Sequence, residues 1–277
     1  MTLACLLASA ACVYLLIGLG KASSVDALHL LGWWPIQPFD IIRSLILTAT
    51  LFAGPLFELI FVEKVINTST GRQIVESLSS WQGYRNFVAG PITEEILFRS
   101  VLVPVHLLAK ISPTKIVFLT PLYFGIAHVH HFYEFTLTHP HTPLSGALLR
   151  SAFQFGYTSI FGWLATFVYI RTGSLYSCII IHTLCNWIGL PRFWGRLQGQ
   201  AEHAMSPVIL RGKEDPDQVQ PEGRGKTLGL QWTIAYYVLL FLGTYMFYAG
   251  LWPLTESFGA LAVFSAETKP KRPKRWF

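Results

Sequence analysis

The chain predicts an all-α polytopic integral membrane protein, with about seven to eight transmembrane helices around a polar intramembrane cavity. Three observations carry this expectation. Of 277 residues, 52% are hydrophobic and 13% charged, about half the charged fraction of a soluble domain. Apolar runs long enough to cross a bilayer recur along the chain. Within those runs stand a few charged residues, each costing about 2.5–3.5 kcal/mol at a helix centre, so buried partners or a water-lined cavity must offset them. The 22 glycines and 16 prolines show no G-X-Y period, which excludes collagen-like and low-complexity classes.

The runs fall at 3–19, 41–62, 87–109, 148–170, 175–190 and 230–249. The first has no charged n-region and no A-x-A-like cleavage site before Lys21, so it is expected to be a retained span and not a removable signal. Two shorter runs are expected as short, tilted or half-buried helices: 116–127, interrupted by Pro121 and Gly125, and 251–266, which carries Pro253 and Glu256. Residues 192–229 include Arg211, Lys213, Glu214, Asp215, Pro216 and Asp217, too polar for a core and expected as a loop outside the membrane. Residues 1–277 thus read as a single membrane domain, without internal repeats, whose catalytic core lies in 81–191.

The formal charge of +6 is concentrated in a basic tail, 267–277, where Lys269, Lys271, Arg272, Lys274 and Arg275 stand. That pattern marks a cytosolic topology anchor facing anionic lipid, and no nucleic-acid partner is expected. Cys5, Cys12, Cys178 and Cys185 form neither C-x-x-C nor finger spacing, and read as small membrane-core residues.

The third run contains G-P-I-T-E-E-I-L-F-R-S, residues 90–100. Glu95 and Arg99 are four apart with the acid first, one helix face in the favourable order for an ion pair. Glu94 lies about 100° around the helix and is the better candidate to face a cavity as a general base, leaving Glu95 as the structural partner. Gly90 and Pro91 could instead start a helix whose dipole stabilises both acids, and an ion pair that merely locks helix packing is the simpler reading. Downstream, Phe124 and His128 are one turn apart, with His130 and His131 at the expected membrane edge. His182 and Asn186 share a face of the run 175–190; alone they read equally as an interhelical clamp. Together with Glu94 and His128 they supply what water-mediated peptide hydrolysis needs, a base for water and donors for an oxyanion.

Absences narrow the chemistry. The sequence holds no H-E-x-x-H and no G-x-S-x-G, and Asp26, Asp40, Asp215 and Asp217 are poorly placed for an aspartyl dyad. A His/His/Glu zinc site from Glu94, His128 and His182 stays open, as does a noncatalytic scaffold or immunity-type protein.

At these residues the chain resembles the type II CAAX prenyl endopeptidases, the Ras-converting enzyme family, within a superfamily that includes bacterial abortive-infection membrane proteins. Three family patterns match in order: E-E-x-x-x-R at Glu94, Glu95 and Arg99; F-x-x-x-H at Phe124 and His128; H-x-x-x-N at His182 and Asn186. Further likeness lies in Arg85-Asn86, His130-His131-Phe132-Tyr133-Glu134 and Arg171-Thr172-Gly173, within 81–191. The resemblance implies a multi-pass enzyme of the endoplasmic reticulum membrane that removes the last three residues of prenylated CAAX-motif proteins of the small GTPase type. It further implies a glutamate mechanism without cofactor or metal. Glu94 and His128 would activate water, His182 with Asn186 would form the oxyanion hole, and Glu95, Arg99 and Phe124 would support them. A prenyl chain gains about 0.8 kcal/mol per buried CH₂, so lipid should enter from the bilayer while the peptide arrives from the cytosol.

Overall fold

A computed structural model describes residues 2–19, 22–62, 79–198 and 228–264. The basic tail and residues 199–227 of the expected loop lie outside the described residues. Within them every regular element is helical: α1 (Thr2–Gly18), α2 (Ser24–Leu30), α3 (Pro38–Leu51), α4 (Ala53–Phe57), α5 (Trp81–Tyr84), α6 (Gly90–Glu95), α7 (Leu102–Leu108), α8 (Pro113–Ala127), α9 (His130–Thr138), α10 (Leu144–Thr172), α11 (Leu175–Ile188) and α12 (Leu230–Gly250). Three π-helical turns occupy Glu58–Val62, Arg85–Ala89 and Ile96–Val101. The chain divides into two compact units, one of Met1–Asp40, Thr93–Cys178 and Glu256–Phe277, the other of Ile41–Ile92 and Ile179–Thr255.

In the first unit α8 packs along α10, which at 29 residues is about 43 Å long. Their approach is close because glycines stand at the crossing. A Cβ on Gly162 would meet the Pro121 Cβ at 2.7 Å, and one on Gly125 would meet Ser159 Oγ at 2.6 Å, the small-residue contact by which apolar helices associate in lipid. Thr120 and Thr166 share a hydrogen bond of 3.2 Å across the same interface. Pro121, expected to interrupt this run, lies inside an unbroken α8; its ring costs one backbone bond and fills the space that Gly162 leaves.

Helix α1 packs on the π turn Ile96–Val101 and on α7. Cys12 Sγ donates to the Val101 carbonyl at 3.6 Å and Cys5 Sγ to that of Thr93 at 3.5 Å, so these cysteines brace the acidic stretch from both ends. Both are buried, as is Cys178, in keeping with small core residues. Ser100 donates to the Leu31 carbonyl at 2.7 Å and accepts from Trp33 Nε1 at 3.0 Å.

The run 251–266 departs from expectation. It holds a 3₁₀ turn at Pro253–Thr255 and no longer helix among its described residues. In the first unit, Ser257 donates to the Asp40 carboxylate, Leu261 N–H donates to the Ile170 carbonyl at 2.8 Å, and Phe264 packs on Phe167. With its backbone held by neighbouring side chains and carbonyls, the segment has no need of helical bonds.

In the second unit α4 packs on α12. The expected span 41–62 is two helices bent by 84°. Pro55 lacks the N–H that would bond the Leu51 carbonyl, which opens the ladder at the bend. The π turn that follows carries Glu58, whose Oε1 accepts from Arg192 Nη2 at 3.2 Å, while the Arg192 backbone N–H donates to Tyr236 Oη at 2.7 Å. Helix α12 is long and apolar enough to cross a membrane, and the bent pair passes the same measure only as one span; α1 and α11 are apolar but shorter. The remaining expected spans are cut by π turns or carry polar residues at their buried faces.

Candidate active site

The stretch that carries the acids is helical from Trp81, and Gly90 has helical dihedrals (φ −60°, ψ −61°). Glu94 and Glu95 therefore do not open a new helix, so the alternative of a helix start at Gly90-Pro91 whose dipole stabilises both acids does not hold; Glu95 is instead held by Arg99. A π turn on each side of α6 shifts the hydrogen-bond register by one residue, a distortion found often at functional positions.

In the first unit the two neighbouring acids meet different surroundings. Glu95 is fully buried, and its Oε1 accepts from Arg99 Nη1 at 2.9 Å, with Arg99 1% exposed. Arg99 Nε and Nη2 have no hydrogen-bond partner among the described residues; the guanidinium instead lies 4.8 Å from the centre of the Phe124 ring and 5.5 Å from that of Phe161. Cation–π attraction of this kind gains strength in a desolvated site. Glu94 is half-buried, and its charge acts on the imidazole of His128.

His128 closes the C-terminus of α8, and its Nδ1 lies 2.7 Å from the Phe124 carbonyl. A carbonyl only accepts, so Nδ1 carries the hydrogen and the neutral ring keeps its lone pair on Nε2. The Phe124 ring meets the imidazole edge-on at 4.6 Å. Phe124 thus does three things: its carbonyl sets the tautomer of His128, its ring fixes the tilt of the imidazole, and its face holds Arg99. The sequence singled out Phe124 as a support; Phe161 was missed, and only the packing of α10 reveals it.

In the second unit His182 is buried and Asn186 half-buried on α11. Asn186 Nδ2 donates to the Asn86 carbonyl at 3.0 Å, and Thr183 Oγ1 donates to that of Phe87 at 3.0 Å. Both carbonyls belong to the π turn Arg85–Ala89. One Asn186 amide hydrogen is thereby committed to backbone, leaving the other for a ligand. Thr183 was also missed, because a threonine in an apolar run carries no signal of its partner.

The chain matches the family model "Type II CAAX prenyl endopeptidase Rce1-like" over residues 76–188. It is 33% identical over 217 residues to the "Probable CAAX prenyl protease 2" of Schizosaccharomyces pombe, covering 78% of this chain and 68% of that protein. It is 35% identical over 175 residues to human "CAAX prenyl protease 2", covering 61% and 51%, and 32% identical over 219 residues to that of Saccharomyces cerevisiae, covering 76% and 64%. The matched part thus spans between half and about two thirds of these relatives. No solved structure matches. The chain belongs to the Rce1-like family of type II CAAX prenyl endopeptidases, a family of membrane-bound peptide hydrolases.

Proposed function

We propose that this chain is the intramembrane endopeptidase that removes the C-terminal tripeptide from farnesylated or geranylgeranylated CAAX proteins of the small GTPase type. The setting is a polytopic chain with seven or eight transmembrane helices in the endoplasmic reticulum membrane. The observation that carries the reading is the placement in one unit of half-buried Glu94 and of His128, whose Nε2 is the acceptor.

In the mechanism, Glu94 takes a proton from water, with His128 Nε2 as a second acceptor for the same water. Hydroxide attacks the carbonyl carbon of the prenylated cysteine itself, and the amide bond from that carbon to the nitrogen of the next residue breaks. The family resemblance assigns His182 and the remaining Asn186 amide hydrogen as donors to the oxyanion, and the proton taken up by Glu94 and His128 passes to the leaving amine of the tripeptide. Glu95 and Arg99 touch no reacting atom in this scheme; they hold Phe124, which holds His128. The apolar surroundings suit a prenyl chain arriving from the bilayer.

The test is mass spectrometry of a prenylated CAAX peptide incubated with purified wild-type and Glu94→Ala protein, with and without chelator. Wild-type protein is expected to release the tripeptide at a rate that chelator leaves largely intact, and the variant to release none. Loss of activity on chelation with recovery on added zinc would replace the glutamate mechanism with a metal one.

A further inference from the structure

Beyond the acid and histidine motifs, the first turn of α9 gathers three ligating side chains that the hydrolytic chemistry does not use. We infer that His130, His131 and Glu134 form a binding site for a divalent transition-metal ion of the zinc class, distinct from the Glu94–His128 pair.

The spacing is helical. His130 and Glu134 are four apart and His131 and Glu134 three apart, so all three project over one turn. One ligand atom from each lies within 4.8 Å of the others. The imidazoles of His130 and His131 are 4.0 Å apart, and His131 Nδ1 lies 2.9 Å from Glu134 Oε2. His130 Nδ1 lies 2.7 Å from the Ala127 carbonyl; it must donate there, which fixes the lone pair on Nε2. A hydrogen bond from the other ring nitrogen to a backbone carbonyl is how metal-bound histidines are commonly oriented.

Two imidazoles and a carboxylate with water in the fourth position match the zinc preference for nitrogen and oxygen at about 2.0–2.2 Å. Tetrahedral ligands then stand about 3.3 Å apart, so the cluster must close by up to about 1.5 Å. Side chains this exposed can do so by rotamer adjustment. An ion here would take the place of the proton shared by His131 and Glu134.

The inference does not rest on the proposed hydrolysis, because it is read by binding. Purified full-length protein in detergent, stripped with chelator, is titrated with zinc sulfate by calorimetry, and its melting temperature is followed with and without zinc. Wild-type protein is expected to bind one equivalent and to melt higher with zinc. The double variant His130→Ala, His131→Ala should lose more than about 100-fold in affinity, since even the outer partners of metal ligands are worth about 10–100-fold. Glu134→Gln, which preserves shape, should weaken binding and abolish the melting shift, while His106→Ala on α7 should bind as wild type. Failure of wild-type protein to bind zinc, or binding in the double variant with unchanged affinity and stoichiometry, would overturn the assignment.

Discussion

Glu94 and Glu95 are adjacent on one helix, yet they sit in opposite environments. Glu95 is sealed from solvent and paired with Arg99, itself buried against Phe124. Glu94 is half-buried and acts on His128. A buried ion pair is costly to assemble and costlier to break, because removing one partner strands a charge; a proton-transferring acid must instead reach water and a partner that exchanges protons. In the proposed mechanism, one step of about 100° around a helix therefore separates the residue that organises the site from the one that does chemistry there.

The largest expected effect comes from the chemical side of this contrast. His128→Ala should lower kcat for a prenylated peptide by about 10²–10⁴-fold, the usual worth of a positioned acid–base group, with little change in melting temperature. A normal rate in this variant would break the contrast. On the structural side, Arg99→Met leaves Glu95 buried without its cation and should destabilise the protein by about 3–5 kcal/mol, read as a lower melting temperature in detergent. The pairing predicts that Glu95→Gln with Arg99→Met is less damaging to stability than Arg99→Met alone, and a double variant no better than the single one would sink it.

Smaller effects sharpen the picture in the second unit. Asn186→Ala should reduce kcat by about 10²–10³-fold, as the loss of an oxyanion donor does elsewhere; a change confined to KM would reassign it to substrate binding. Thr183→Val removes only the hydrogen bond to the Phe87 carbonyl, and should cost about 0.5–1.5 kcal/mol in stability with a modest fall in rate. Thr183→Ser, which keeps the hydroxyl, should restore both.

Much of this was legible in the residues because it depends on local helical spacing. Glu95 with Arg99, and Phe124 with His128, are pairs four residues apart, and the structure brings each together in the first unit. What sequence could not show depends on backbone register and on distant packing. Nothing in Arg85–Ala89 or Ile96–Val101 announces a π turn, since the shift depends on which external donors, such as Thr183, Asn186 and Cys12, cap the displaced carbonyls. The Arg99–Phe161 contact requires α10 to lie against the acidic helix, a tertiary fact. Proline misled in both directions: Pro121 was expected to interrupt a helix that the absent side chain of Gly162 allows to continue, whereas the run containing Pro55, expected as one span, bends by 84°.

The most direct test of the division between the two acids is the turnover of Glu94→Gln on a prenylated CAAX peptide, measured beside its melting curve. An amide of the same shape cannot accept the proton, so the prediction is wild-type melting with tripeptide release reduced by at least about 10²-fold. Release within threefold of wild type by a normally folded Glu94→Gln protein would contradict it.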